Sequence, residues 1–294
     1  MTAEPEHPYT VLDVFTQTPL AGNPLAVFTE GETIPSRLML AAARELHLSE
    51  TVFVLPGDDQ VDVTLRIFTP QAELPFAGHP VLGSAFVVGE QQDLATVRLR
   101  TGAGIVPVKL TREHGEIVYG EMEQPLPTVG GFEREQELLA ALGLSAAAVA
   151  LPIEAYTNGP THVIVAVVDP RAGTANAEAV AGLAPDMAAL RALGTIGVTC
   201  FARIGDGRVK SRVFCPGMGI PEDPATGSAA GPLALHLARH GWHTPGRPLT
   251  IVQGVELQRP SELVARVDGT AEHPTRITVG GSAVVVAQGR FRLQ

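Results

Sequence analysis

The chain has 294 residues, 45% of them hydrophobic and 18% charged, with 31 acidic residues against 21 basic ones for a net charge of -10. That composition supports a sizeable buried core in one large or two smaller domains and rules out a disordered chain. The acidic balance argues against nucleic acid or an anionic membrane as partner, because both need a basic face.

The N-terminal MTAEPEHPYT is polar and lacks the basic and apolar regions of a leader peptide. Strand-like β-branched runs follow at residues 9–15, 25–29, 51–55, 62–68, 96–101 and 104–110, and again at 161–167, 198–204, 208–214, 249–254, 262–269 and 283–293. Helical patterns fall at 35–47, 80–90, 134–142, 185–193 and 229–240. The alternation in DVTLRIF (62–68) and RVKSRVF (208–214) predicts half-buried antiparallel strands. Strand-rich segments with intervening helices indicate an α+β fold, without the regular βαβ rhythm of a doubly wound sheet. Apolar runs such as VIVAVV (163–168) are far shorter than a bilayer span. Two cysteines, Cys200 and Cys215, point to a reducing compartment, and a cytoplasmic protein is expected.

Pro and Gly cluster in EQPLPTVGG (123–131), a linker dividing residues 1–125 from 126–294, with the closing strands at about 279–293 free to cross back to the first half. The two halves share text. RIFTPQAELP begins at residue 66 and RVFCPGMGIP at residue 212, both fitting Arg-[Ile/Val]-Phe-x-Pro-x-x-x-[Leu/Ile]-Pro. The first is followed by HPVLGSA from His79 and the second by DPATGSA from Asp223. Duplication of one strand–loop–helix unit explains both copies. Each unit is expected to deliver a helix whose first turn holds Gly, Ser and Ala. Such a turn leaves backbone N–H groups open to a carboxylate or phosphate. Two such helix openings, one per half, are expected to hold a small anionic substrate. A purely structural turn, preserved by duplication, is the competing explanation.

With these segments the chain resembles the PhzF-like (phenazine biosynthesis) family of the diaminopimelate epimerase-like superfamily. The resemblance rests on AGNPLAVF (21–28), LSETVFV (48–54), RIFTPQAELPFAGHPVLGSA (66–85), RVFCPGMGIPEDPATGSAAGPLA (212–234) and the closing VGGSAVVVAQGRFRL (279–293). It implies two pseudo-symmetric halves, each a β-rich barrel-like layer around a central helix, a homodimer, and isomerase chemistry without a cofactor. Epimerases of the superfamily use one cysteine from each half. Here both cysteines lie in the second half, so a two-thiol racemase is not expected, and Cys215 is expected to be a small buried hydrophobe.

The resemblance instead makes Glu50 of LSETVFV the group that carries a proton between two carbons of a small cyclic or amino-acid-like carboxylate. A carboxyl group suits that task when burial brings its pKa toward neutrality. His79 is expected to form a hydrogen bond or relay a proton, and Asp223 to accept a hydrogen bond from a substrate amine or hydroxyl or to orient His79. Gly78, Gly227 and Ser228 are expected to donate to the substrate carboxylate, with Asn23 of AGNP as a further binding residue. Each has a plain alternative: an exposed loop acid for Glu50, a structural histidine for His79, a turn or cap residue for Asp223 and Asn23. A catalytically idle relative that binds a metabolite or protein is the alternative for the whole chain. No metal is expected at His236, His240 and His243, which lack a zincin glutamate and any acidic partner nearby in sequence. The sequence contains no phosphate-binding glycine loop after a strand and no G-x-S-x-G elbow.

Overall fold

The structure, a computed structural model, describes residues 6–169, 174–175 and 177–293; the first five residues of the polar N-terminal stretch lie outside it. The chain divides into two compact units, residues 1–123 with 280–294, and residues 124–279.

The first unit runs β1 (Glu6–Val14), β2 (Asn23–Phe28), α1 (Ser36–Leu46), β3 (Glu50–Pro56), β4 (Val63–Phe68), β5 (Glu73–Leu74), α2 (Gly78–Gln92), β6 (Thr96–Thr101), β7 (Gly104–Glu113) and β8 (Glu116–Gln124). The second unit runs β9 (Thr128–Gly131), α3 (Glu135–Leu142), β10 (Glu154–Thr157), β11 (Thr161–Ala166), β12 (Val168–Asp169), β13 (Thr174–Ala175), α4 (Ala177–Ala181), α5 (Met187–Ala192), β14 (Ile196–Gly205), β15 (Arg208–Cys215), β16 (Ile220–Asp223), α6 (Gly227–Arg239), β17 (Leu249–Gln253), β18 (Ser261–Gly269) and β19 (Pro274–Gly281). Strand β20 (Ala283–Arg292) returns to the first unit, where it pairs antiparallel with β1.

Strand pairing exposes the duplication. In the first unit β20–β1 and β1–β2 are antiparallel, β2–β3 is parallel, β3–β4 antiparallel, β4–β6 parallel and β6–β7 antiparallel. In the second unit β9, β10, β11, β14, β15, β17 and β18 repeat the same succession of senses. Each parallel junction needs a crossover, and helices supply it: α1 before β3, α2 before β6, α4 and α5 before β14, α6 before β17. Strands 62–68 and 208–214 are therefore not purely antiparallel. Each is antiparallel on one side and parallel on the other, because the repeat unit places a crossover helix directly after it.

Helices α2 and α6 sit at the centre of their units. Gly78 through Gly89 and Gly227 through Ala238 are buried without a break, as a helix apolar on all sides must be. Helix α2 touches β1, β2, β3, β6 and β7, so the first sheet curls around it, and α6 touches β10, β11, β14 and β18. Glycines permit this closeness: a Cβ at Gly83 would stand 2.6 Å from Leu25 Cδ2 and 2.9 Å from Val14 Cγ2. Outside the first sheet, α1 packs Met39, Ala42 and Ala43 against Phe28, Phe53 and Phe68.

The repeated Arg-x-Phe also builds the same clamp twice. Arg66 forms a bidentate pair with Glu73 at 2.7 and 2.8 Å and stacks over Phe68; Arg212 does so with Glu222, both bonds at 2.8 Å, and stacks over Phe214. The expected linker contains a strand, β9, fully exposed and paired with β10. Its Pro–Gly composition conceals a strand held only by its partner.

Candidate active site

In the first unit the chain brings three of the expected residues together. Asn23 opens β2 after a turn in which the Leu20 N–H donates to buried Asp13 at 2.7 Å and Gly22 takes φ +66°. Glu50 opens β3 opposite Leu25 in the parallel register, and His79 is the second residue of α2. The Asn23 amide lies 3.2 Å from His79 Nδ1, and His79 Nε2 lies 3.4 Å from Glu50 Oε2. Glu50 is 7% exposed and His79 3%, so the exposed-loop alternative for Glu50 fails. Burial pulls the His79 imidazole down to about 3, with a small opposing pull from the Pro24 carbonyl. It therefore meets Glu50 as a neutral ring rather than as half of an ion pair.

In the second unit Asp223 ends β16, and Gly227 and Ser228 open α6. The Thr226 hydroxyl donates to Asp223 Oδ2 at 2.6 Å. Gln253 fastens this turn: its Nε2 donates to the Asp223 carbonyl at 2.7 Å and to Thr226 Oγ1 at 3.0 Å, while the Thr226 N–H donates back to its Oε1 at 3.2 Å. Gln124 Nε2 donates to the Gly227 carbonyl at 2.7 Å and Asn158 Nδ2 to the Ser228 carbonyl at 2.9 Å. The Ser228 hydroxyl lies 3.0 Å from His162 Nε2. Among the described residues no side chain caps the α6 N-terminus, although the Ala229 N–H already donates to the Thr226 carbonyl at 3.0 Å.

The two copies differ at that point. Helix α2 starts at Gly78, five residues ahead of Gly83, so Gly83 and Ser84 lie in its second turn and Ser84 is fully buried. The expected Gly-Ser-Ala first turn exists only in α6. In α2 the opening residues are Gly78 and His79, because Pro80-Val81-Leu82, the counterpart of the non-helical Pro224-Ala225-Thr226, is already helical. Gly78 accordingly sits at the helix opening, as its expected role requires.

Thr226, Gln253, His162, Asn158 and Gln124 were not legible as site residues. Only His162, a lone imidazole inside the apolar strand THVIVAV, breaks a pattern. A further correction concerns the histidines of α6. They do have an acidic partner: Glu154, from β10, lies 3.2 Å from His236 Nδ1 and 3.0 Å from His240 Nε2, a cluster able to offer three ligand atoms to a metal. His243 is not part of it; its ring contacts the Arg247 carbonyl. Tyr156 donates to the same Glu154 oxygen at 2.7 Å, and Arg239 holds the other at 3.3 Å. The His236 Nε2 is buried without a partner. Metal ligation through Nδ1 would force the ring proton onto that orphan nitrogen, which opposes metal and favours a hydrogen-bonded brace from β10 to the end of α6.

A family model described as phenazine biosynthesis-like protein matches residues 12–289. This chain belongs to that family. It is 46% identical over 288 residues to trans-2,3-dihydro-3-hydroxyanthranilate isomerase of Pseudomonas aeruginosa, covering 98% of this chain and all of that one. Among solved structures, a predicted epimerase from the same species is 31% identical with a TM-score of 0.83, covering 98% and 100% of the two chains. A hydroxyproline epimerase from Agrobacterium vitis, 15% identical over 97% and 91%, shares the fold with a TM-score of 0.67.

Like its named relatives, this phenazine biosynthesis-like protein is an isomerase. Its cysteines, Cys200 and Cys215, are both buried and unbridged, and burial pushes the Cys200 thiol up to about 12. The second unit also lacks a counterpart of Glu50. Thr51 stands opposite Phe68 and Val198 opposite Phe214, so the repeat equates Glu50 with Gly197.

Proposed function

We propose that this protein isomerises trans-2,3-dihydro-3-hydroxyanthranilate or a close cyclic amino-carboxylate, with Glu50 as the single proton carrier. The Glu50 carboxylate takes a proton from one ring carbon. The electron pair left behind shifts along the ring's conjugated bonds, and the same carboxyl group returns the proton to another carbon. Atoms and charge balance within the substrate, with no electron acceptor required. The observation that carries this assignment is the buried Glu50 held beside neutral His79, with glycine at the equivalent strand position of the second unit. A residue that both takes and returns a proton needs shelter from water and a neighbour that stays uncharged while its own charge changes.

His79 orients the carboxyl group and Asn23 orients His79. Asp223, oriented by Thr226 and Gln253, accepts from the substrate amine or hydroxyl, and Gly78, Gly227 and Ser228 donate to its carboxylate. Among the described residues no helix is long and apolar enough to cross a membrane; the cytoplasmic location is proposed from the two unbridged cysteines. A homodimer follows from the family resemblance, and sedimentation velocity decides it.

Incubation with trans-2,3-dihydro-3-hydroxyanthranilate in deuterated water tests the chemistry. The wild type should move deuterium onto a ring carbon, and Glu50→Gln should lower that rate roughly 10²- to 10⁴-fold, the usual worth of a positioned base. Equal exchange by wild type and variant would remove Glu50 from the mechanism. A wild type that binds the compound without exchange would establish the idle-relative alternative.

A further inference from the structure

We infer that His162 is a positioning residue that donates its Nε2–H to the Ser228 hydroxyl and so commits the Ser228 proton to the substrate. The inference rests on the proposed role of Ser228 as a donor to the substrate carboxylate.

The ring is held from both sides. His162 lies on β11 opposite Gly197 of β14, and a Cβ at Gly197 would stand 2.5 Å from His162 Nδ1 and 3.0 Å from its Cε1. The imidazole thus fills the space that a side chain at Gly197 would occupy. The Cys215 sulfur bounds the same pocket, 3.4 Å from that Cβ position. Locked there and 1% exposed, the ring has, among the described residues, one hydrogen-bonding neighbour at Nε2, the Ser228 hydroxyl at 3.0 Å, while Nδ1 is buried without a partner.

That asymmetry decides the tautomer. Burial pulls the ring down to about 4, so at neutral pH it carries a single N–H. A proton on Nδ1 would be a buried donor facing a glycine with nothing to accept it. A proton on Nε2 leaves only a lone pair unmatched, and buried orphan N–H groups are the rarer and costlier defect. The Nε2–H form therefore prevails, and Ser228 Oγ is the acceptor of that bond.

A hydroxyl that accepts from an imidazole still holds its own proton. In the opposite tautomer Ser228 would spend that proton on the ring and present only lone pairs, which repel a carboxylate. Gln124 and Asn158 complete the arrangement by holding the carbonyls of Gly227 and Ser228, which fixes the peptide units of the α6 opening. The half without a proton-carrying acid has instead a buried imidazole that sets the polarity of a binding hydroxyl.

Two measurements separate this inference from the function it rests on. In ¹⁵N-resolved spectra of the intact wild-type protein, His162 Nδ1 should resonate as the unprotonated nitrogen and Nε2 as the protonated one; the reverse assignment overturns the inference whatever the activity. In kinetics with trans-2,3-dihydro-3-hydroxyanthranilate, Ser228→Ala and His162→Leu should each raise KM about tenfold, the scale of one hydrogen bond to a charged group, with kcat nearly unchanged. His162→Gln, which keeps a donor, should recover part of the loss, and the double variant should be no worse than Ser228→Ala alone. A KM raised by Ser228→Ala but untouched by His162→Leu overturns the positioning role. A KM indifferent to Ser228→Ala overturns the carboxylate-binding role, leaving the proton-transfer assignment of Glu50 standing.

Discussion

Lowering the pH from 7.5 to 5 should cost this protein about 6 kcal/mol of stability, through three buried histidines. His79, His162 and His236 are held neutral by burial, with values pulled down to about 3, 4 and 4. In the unfolded chain each returns to about 6.5. Their stabilisation is complete above that value and is lost as the pH falls toward the folded values, because the unfolded chain then binds protons that the native protein refuses. At pH 5 each has lost about 1.5 pH units' worth, or about 2 kcal/mol. Glu154, held near 2 against a usual 4.5 mainly by bonds from Tyr156, His240 and Arg239 that outweigh its burial, acts in the same direction but only at lower pH. Typical domains hold about 5–15 kcal/mol in total, so the loss is a large share of the whole. Urea unfolding followed by far-ultraviolet circular dichroism at several pH values gives the slope directly. Three protons correspond to about 4 kcal/mol per pH unit between pH 5 and 6. A slope near that of one proton, about 1.4 kcal/mol per unit, would refute the claim that all three rings are buried neutral. It would also reopen the assignment of His79 as an uncharged partner of Glu50.

The duplicated arginine clamp offers an internal comparison. Glu222→Ala should cost about 3 kcal/mol, because Arg212 would be left buried without its carboxylate, whereas Glu73→Ala, beside the more exposed Arg66, should cost about 1 kcal/mol or less; equal losses in denaturant titrations would contradict this. Gly22→Ala puts a side chain against the Val14 carbonyl in a left-handed turn, and should both destabilise the protein by more than about 1 kcal/mol and lower kcat by displacing Asn23 from His79. Gly197→Ala forces the His162 ring to move, and should raise KM for trans-2,3-dihydro-3-hydroxyanthranilate while costing about 1–3 kcal/mol of stability; a variant with wild-type KM would show that the ring has room to adapt.

The sequence by itself determined the duplication, the α+β class, and most of the strands and helices, because each of these is written in neighbouring residues. Arg-x-Phe feeding a Pro-punctuated loop is a local text, and its second appearance reports a second unit whatever surrounds it. Glu50, His79 and Asp223 could be picked out as candidates, because they stand in the short segments that carry the family resemblance. Strands at 116–124, 128–131, 154–157 and 274–281 were not, and in β9 pairing with β10 outweighs a loop-like composition. Only the tertiary structure decided which copy puts its Gly-Ser at a helix opening, since a helix start depends on how the preceding loop is tied, and Gln253, 27 residues beyond Thr226, ties one of them. It also decided that Glu154 completes the α6 histidines, that Gly197 stands where the first unit has its acid, and that His162 reaches Ser228, 66 residues away in sequence. These are long-range pairings, set by strand register and by what the core must exclude, and no window of sequence contains both partners.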